Sequence, residues 1–274
     1  CGDCAVFCAV TWGEPRWAGD FFPLTVDYRE NNYAAGKIPG GFFKREGKPP
    51  EKEVLTSRVI DRPLRPLFPD TWRRETQVVA FVISADTDND SDVLALTGAS
   101  AALALSAIPF QATIAAVRVG LIDGELIINP TYTQRREGRL DLVVAGSKDA
   151  LVMVEAGAQI VSEEDMIRAL DAGHAAIRDI IVEIDKLVAA AGKAKLEVTA
   201  KSVDAATAAE VEAALLGPLA DAMRLKDKLE SYAAVDKVID DYLATIPEDE
   251  TTRRADSKSA FKALKEKVLR DEIL

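Results

Sequence analysis

Cys4, Val6, Cys8 and Val10 alternate along GDCAVFCAVT, the period of two that marks a strand with one buried face. Phe22, Leu24, Val26 and Tyr28 repeat the pattern in DFFPLTVDYRE, residues 20–30, and predict a second strand. After Pro49 and Pro50, EKEVLTSRVIDR reads as a helix. Val54, Leu55 and Val59 give its apolar spacing, acids occupy its first turn, and Pro63 and Pro66 are expected to stop it. Further β-rich runs lie at 76–85, 113–122, 125–129 and 140–155. Between them SDVLALTGASAALALSA, residues 91–107, predicts a small-residue helix that packs closely on a sheet through its alanines and Gly98. Ser162 and Asp165 have capping-box spacing and open a helix to about Ala191, with Met166, Leu170, Ile177, Ile181 and Val188 near one face and Gly192 ending it.

From about residue 200 the pattern changes. No β-rich run follows, and alanine, leucine and charge alternate through three or four helices. Breaks are expected at Gly217-Pro218, near Thr245 to Asp249 and near Thr251 to Asp256. The reading is therefore an α/β (α+β) fold: a domain of mixed sheets and packed helices over residues 1–195, then an all-helical domain over 200–274. Because the chain opens inside a strand pattern, a preceding segment is expected.

Composition changes this picture in one place. The 274 residues carry a formal charge of -11, which opposes binding of a polyanion to the chain as a whole. Between Lys37 and Arg74, however, ten cations face five acids, a window of +5 that leaves -16 for the rest. No apolar run approaches the roughly 20 residues that span a bilayer, and the first residues lack a basic start with an apolar stretch. A soluble, unexported protein is expected, with no membrane partner. Cys1, Cys4 and Cys8 are too few and too bunched for a disulfide framework, and a metal site built on them would need His174 from far away. The run DTDNDSD matches the first, third and fifth positions of an EF-hand loop, but Ser91 replaces the glycine and Thr97 the closing glutamate. An acidic turn with Asp90 or Ser91 capping the next helix is expected instead. His174 has no nucleophile motif near it, and no phosphate-binding glycine loop occurs.

The candidate chemistry sits in GKIPGGFFKREGKPP, residues 36–50. Phe42 and Phe43 could stack on bases while Lys44 and Arg45 hold phosphates, with the glycines letting the backbone approach the strand. Equally, the two phenylalanines could fold back into the core. Arg58, Arg62 and Arg65 extend the positive zone as phosphate contacts or as surface ion pairs.

The segment FFPLTVDYRENNYAAGKIPGGFFKREGKPPEKEVLTSRVIDRPLRPLFP, with DVLALTGASAALALSAIPF, AVRVG, NPT and LDLVVAGS, resembles the polynucleotide phosphorylase family over nearly the whole chain. There are two departures. Gln111-Ala112-Thr113 stands where the family has a Gly-Pro pair, and Lys44 replaces the first arginine of its Phe-Phe-Arg-Arg loop. The resemblance implies two RNase PH-like domains joined by a helical domain and followed by two small RNA-binding modules, in a trimeric ring. RNA threads the channel and is cleaved from its 3′ end by inorganic phosphate, releasing nucleoside diphosphates. On this plan the chain is the first RNase PH-like domain and the helical domain. Phe42, Phe43, Lys44 and Arg45 then line the constriction that grips single-stranded RNA. The family's phosphate loop and Mg²⁺-binding acids belong to the second RNase PH-like domain. At the corresponding places this chain has Asn89-Asp90-Ser91-Asp92, and Gly138-Arg139-Leu140-Asp141-Leu142-Val143 for Gly-Asp-Met-Asp-Phe-Lys. No catalytic residue, metal or other cofactor is therefore expected in this portion. A homotrimer, an RNA-degradation complex and a bacterial cytoplasmic or organellar setting are expected of the whole enzyme. The alternatives are a standalone RNA-binding module and an independently active phosphorolytic enzyme, against which the substitutions at Asn89 to Asp92 and at Arg139 weigh.

Overall fold

The structure is a computed structural model and describes residues 2–14, 21–198 and 204–273. The chain divides into two compact units, residues 1–199 and 200–274.

The first unit holds two sheets. In the three-stranded sheet, β1 (Ala5–Gly13) and β2 (Leu24–Arg29) flank β3 (Glu75–Ser84), β1 antiparallel and β2 parallel to it. The four-stranded sheet is antiparallel, with β5 (Glu125–Ile128), β4 (Ala115–Ile122), β6 (Leu140–Gly146) and β7 (Leu151–Ala158) in that spatial order. Between the sheets lies α2 (Asp92–Leu105). Its Ala95, Leu96, Ala99 and Leu103 are fully buried with Val78, Ala80 and Val82 of β3 and with Ala116, Val143 and Ala145 of the other sheet. The small residues allow that double contact: a Cβ on Gly98 would stand 2.7 Å from the Cys8 sulfur of β1. The Cys8 thiol points to the Ala95 carbonyl, and burial pushes its pKa up to about 11, so it behaves as a small apolar group. On the other face of the second sheet, α4 (Glu163–Ala191) buries Ala169, Ile177 and Ile181 against Val117, Val119, Leu142 and Val144. His174 accounts for itself here: its Nε2 donates to the Ser147 carbonyl while Nδ1 accepts from Arg178, tying α4 to the β6–β7 turn.

In this unit the structure departs from the sequence expectations at four places. Helix α1 (Glu51–Leu64) continues through Pro63, because Ile60, Pro63 and Leu64 are all buried and their packing outweighs one lost backbone bond. Its core face is Glu53, Thr56 and Ile60, while Val54 and Leu55, predicted as apolar anchors, are half-exposed. Neither Asp90 nor Ser91 caps α2 through its side chain; the preceding turn is closed by Asp86, whose carboxylate accepts from the amides of Asp88 and Asn89. A short helix the apolar pattern does not predict, α3 (Tyr132–Glu137), is opened by a full capping box of Thr131 and Gln134.

In the second unit α5 (Ala205–Met223), α6 (Lys228–Ala244) and α7 (Thr251–Ile273) share a core of Val211, Leu215, Leu219, Val235, Phe261, Leu264 and Val268. Asp204 and Asp227 cap α5 and α6. The expected break at Gly217-Pro218 does not occur, since the buried row Val211, Leu215, Leu219 runs straight across it. Residues 251–256 likewise lie inside a single continuous helix.

Replacing Gly98 with alanine should cost about 1–3 kcal/mol by overpacking, measured by urea denaturation. The cost should shrink in a Cys8→Ala background; an equal cost in both backgrounds would show that the sulfur contact is not what requires glycine.

Candidate functional site

The loop from Gly36 to Pro50 has almost no regular structure and is tied down at its two ends. At the near end the Lys37 amide donates to the Asn32 carbonyl. At the far end Glu46 accepts from the Asn32 backbone amide at 2.7 Å and from its side-chain amide at 2.9 Å, and Arg29 reaches the Gly47 carbonyl. The segment between is left to solvent. Phe42 is 93% exposed and Phe43 74%, their rings edge to face at 5.5 Å, with the Arg45 guanidinium 5.0 Å from the Phe43 ring centre. The chain turns there through left-handed conformations at Gly41 (φ 79) and Lys44 (φ 50); the second is uncommon for a residue with a side chain. Two adjacent exposed phenyl rings gain nothing from folding, so their placement needs another explanation. Of the two readings open at the sequence level, the core-packed one is excluded.

The three arginines that follow differ in use. Arg58 is exposed on α1 and has no partner among the described residues. Arg62 makes a 3.4 Å pair with Glu155 between exposed side chains, which water weakens. Arg65 is drawn into the fold: it holds Asp61 with two bonds of 3.0 and 2.8 Å and donates to the carbonyls of Phe22 and Leu24, fixing the start of β2.

Beyond α1 opens a cleft of about 630 Å³, lined by Lys52, Thr56, Asp90, Asp92, Arg118, Tyr132, Arg135 and Asp141 among others. Arg118 dominates it. It lies in β4, a strand buried on both faces, and is only 7% exposed. A guanidinium there must be paired, and it bridges Asp92 at the start of α2 and Asp141 of β6. Arg135 bridges Asp141 at 2.8 Å and Asp90 at 3.0 Å, and Lys52 joins Asp90 at 3.2 Å to Glu30 at 2.8 Å. Burial pushes the Asp90 carboxyl up, but Lys52, Arg118 and Arg135 together hold it below the usual range. Asp92 goes the other way: its burial outweighs the pull of Arg118, and the Asp90 charge adds to the rise.

A divalent cation does not fit this arrangement. Arg118 and Arg135 already take the carboxylate oxygens of Asp92 and Asp141, and among the described residues no three acidic, histidine or cysteine side chains are placed to share a metal. Nor does a phosphate dianion, because every cation in the cleft is matched by a carboxylate and Glu30 adds one more.

Family models match three segments. The description "3' exoribonuclease family, domain 1" fits residues 1–109, "3' exoribonuclease family, domain 2" residues 112–176, and "Polyribonucleotide nucleotidyltransferase, RNA binding domain" residues 206–274. The polyribonucleotide nucleotidyltransferase of Acidobacterium capsulatum is 49% identical over 97% of this chain and 33% of its own length. That of Solibacter usitatus is 48% identical over 95% of this chain and 37% of its own length, and that of Geobacter sulfurreducens 44% identical over 100% and 40%. The chain belongs to the polyribonucleotide nucleotidyltransferase family. It spans between 33% and 40% of the length of these curated relatives, as an N-terminal portion. A crystal structure of rice (Oryza sativa) Rrp46 aligns with a TM-score of 0.55 at 19% identity, covering 69% of this chain and 85% of that one. The fold of the chain is thus RNase PH-like followed by a helical region, as the sequence predicts.

In the sequence Asp90 and Asp92 read as repulsive to phosphate and Lys52 and Glu46 enter only the charge balance of the Lys37–Arg74 window, while Arg118 and Arg135 are assigned no role. The signal for Arg118 was present: it is the one charge inside AAVRVGLI.

Replacing Arg118 with leucine should cost about 3–5 kcal/mol, because two carboxylates lose the cation that offsets their burial; a loss below 1 kcal/mol in urea titrations would contradict the bridging role. Asp90 should contribute stability that is present above its unfolded pKa of about 3.9 and lost as pH falls through its depressed folded value. Asp90→Asn should therefore flatten the acid limb of a melting temperature against pH curve.

Proposed function

We propose that this chain is the RNA-guiding and ring-building portion of a phosphate-dependent 3′-to-5′ exoribonuclease that releases nucleoside diphosphates. The observation that carries the proposal is the pair of exposed phenyl rings on a loop whose cations are free. Bases stack on Phe42 and Phe43 while Lys44 and Arg45 meet the phosphates, and the anchors at Asn32 and Glu46 hold the aromatic tip out from the domain. Arg58, and Arg62 once released from Glu155, extend that contact along α1, whereas Arg65 serves β2. The family model over residues 206–274, described as an RNA binding domain, supports the same partner.

Phosphorolysis needs cations that spread charge over the transferred group. Here the cations of the cleft are neutralised by Asp90, Asp92 and Asp141. Catalysis, together with inorganic phosphate and Mg²⁺, is assigned to a second RNase PH-like domain outside this chain. In this proposal residues 1–195 form the first RNase PH-like domain and 200–274 the helical domain, the whole enzyme is a homotrimer of the bacterial cytoplasm, and RNA enters past the aromatic loop.

Phe42→Ala with Phe43→Ala should weaken single-stranded RNA binding by the full-length enzyme at least fivefold, from roughly 1 kcal/mol or more per stacked base. Unchanged anisotropy titrations at fixed salt would remove the stacking role. The chain alone, given RNA, phosphate and Mg²⁺, should release no nucleoside diphosphate, and measurable release would overturn the division of labour.

A further inference from the structure

Residues 204–273 carry sixteen acids and eleven cations, so a nucleic-acid contact on the second unit needs a local reversal of sign. Six of the seven cations of α7, Arg270 in its last turn aside, divide by what they touch. Arg253 pairs with Glu210 and Glu250, Lys267 with Glu212, and Arg254 donates to the carbonyls of Leu243 and Ile246 at the end of α6. These serve the bundle. Lys258, Lys262 and Lys265 are exposed and, among the described residues, make no hydrogen bond or ion pair. Their spacing of four and three residues places them in one row, roughly a quarter of a turn round the helix from the buried Phe261, Leu264 and Val268. The axial rise from Lys258 to Lys265 is about 10 Å, or one cation every ~5 Å. Leu269, half-exposed, continues the row by one turn. Glu266 lies to one side and does not pair with Lys262.

We propose that the Lys258, Lys262 and Lys265 face of α7 is a second RNA surface, one that follows the phosphate backbone of a single strand without reading its bases. It rests on the RNA-binding reading above and adds a site that the aromatic loop does not include. Charge complementarity argues for a polyanion. The absence of aromatic or amide side chains from the row argues for backbone contact: lysine offers a compact charge on a flexible stem, suited to evenly spaced phosphates and unsuited to base edges.

The test is a salt titration of a labelled single-stranded oligoribonucleotide against the full chain and the triple variant Lys258→Gln, Lys262→Gln, Lys265→Gln, with helicity and melting temperature followed in parallel. Each lost phosphate contact should lower the slope of log K against log salt by about 0.7, so the triple variant should lose about 2 in slope and at least tenfold in affinity near 0.1 M salt. The matching lysine-to-arginine variant should retain both. The Phe42→Ala, Phe43→Ala variant separates the two sites, because stacking loss lowers affinity with little change of slope. A folded glutamine variant with unchanged slope and affinity overturns the second surface even where the loop variant weakens binding. Weakened binding to anionic lipid vesicles with unchanged RNA binding also overturns it.

Discussion

A guanidinium held inside a doubly buried strand is the constraint on which the first unit depends. Arg118 sits where β4 is covered by α2 on one face and α4 on the other, and a charge so placed is tolerated only with partners in contact. Asp92 supplies one from the first turn of α2 and Asp141 another from β6. One side chain thereby ties the central helix to the sheet on which it lies. The same requirement spreads outward: Asp141 is shared with Arg135, Arg135 with Asp90, and Asp90 with Lys52 on α1. The elements around the cleft are joined by alternating charges, and no carboxylate in that chain is left to hold a metal.

The proposed function rests on which cations are committed to partners and which face water. In the cleft each cation is matched by a carboxylate a few ångströms away, so a phosphate group would have to displace an existing partner. On the loop the arrangement is reversed. Glu46, its one acid, is turned back onto Asn32 to anchor the loop, and Lys44 and Arg45 face water beside two phenyl rings. On α7 the same distinction separates Arg253, Arg254 and Lys267, which hold the bundle together, from Lys258, Lys262 and Lys265, which pair with none of the described residues. Net charge conceals this partition, since an acidic chain can still present basic surfaces where its acids are occupied elsewhere.

Much of this was legible in the sequence. The strands and α2 appear as alternation and as a small-residue run because their neighbours bury whole faces, and the phenylalanines of the loop stand out because glycine and proline exclude regular structure around them. Less was legible where packing overrides local preference. Pro63 and Pro218 lie inside helices whose buried rows continue past them, and Val54 with Leu55 belongs to the exposed side of α1 because Glu53 and Thr56 face inward. The charge network was not legible at all as a network: Lys52, Asp90, Arg118, Arg135 and Asp141 come from five separate elements or turns, and only the fold brings them into one cleft. Arg65 shows the converse, a cation that reads as part of a basic zone and is spent on the carbonyls of Phe22 and Leu24.

The central claim is that RNA meets this chain at free cations and exposed rings, and is excluded from the cleft whose charges are already paired. Ultraviolet cross-linking of a single-stranded oligoribonucleotide to the full-length enzyme, with adducts located by mass spectrometry, tests it most directly. The account predicts adducts at Phe42 and Phe43 and none at Tyr132 or elsewhere along the cleft. Adducts concentrated at Tyr132, with the loop unmodified, would contradict it.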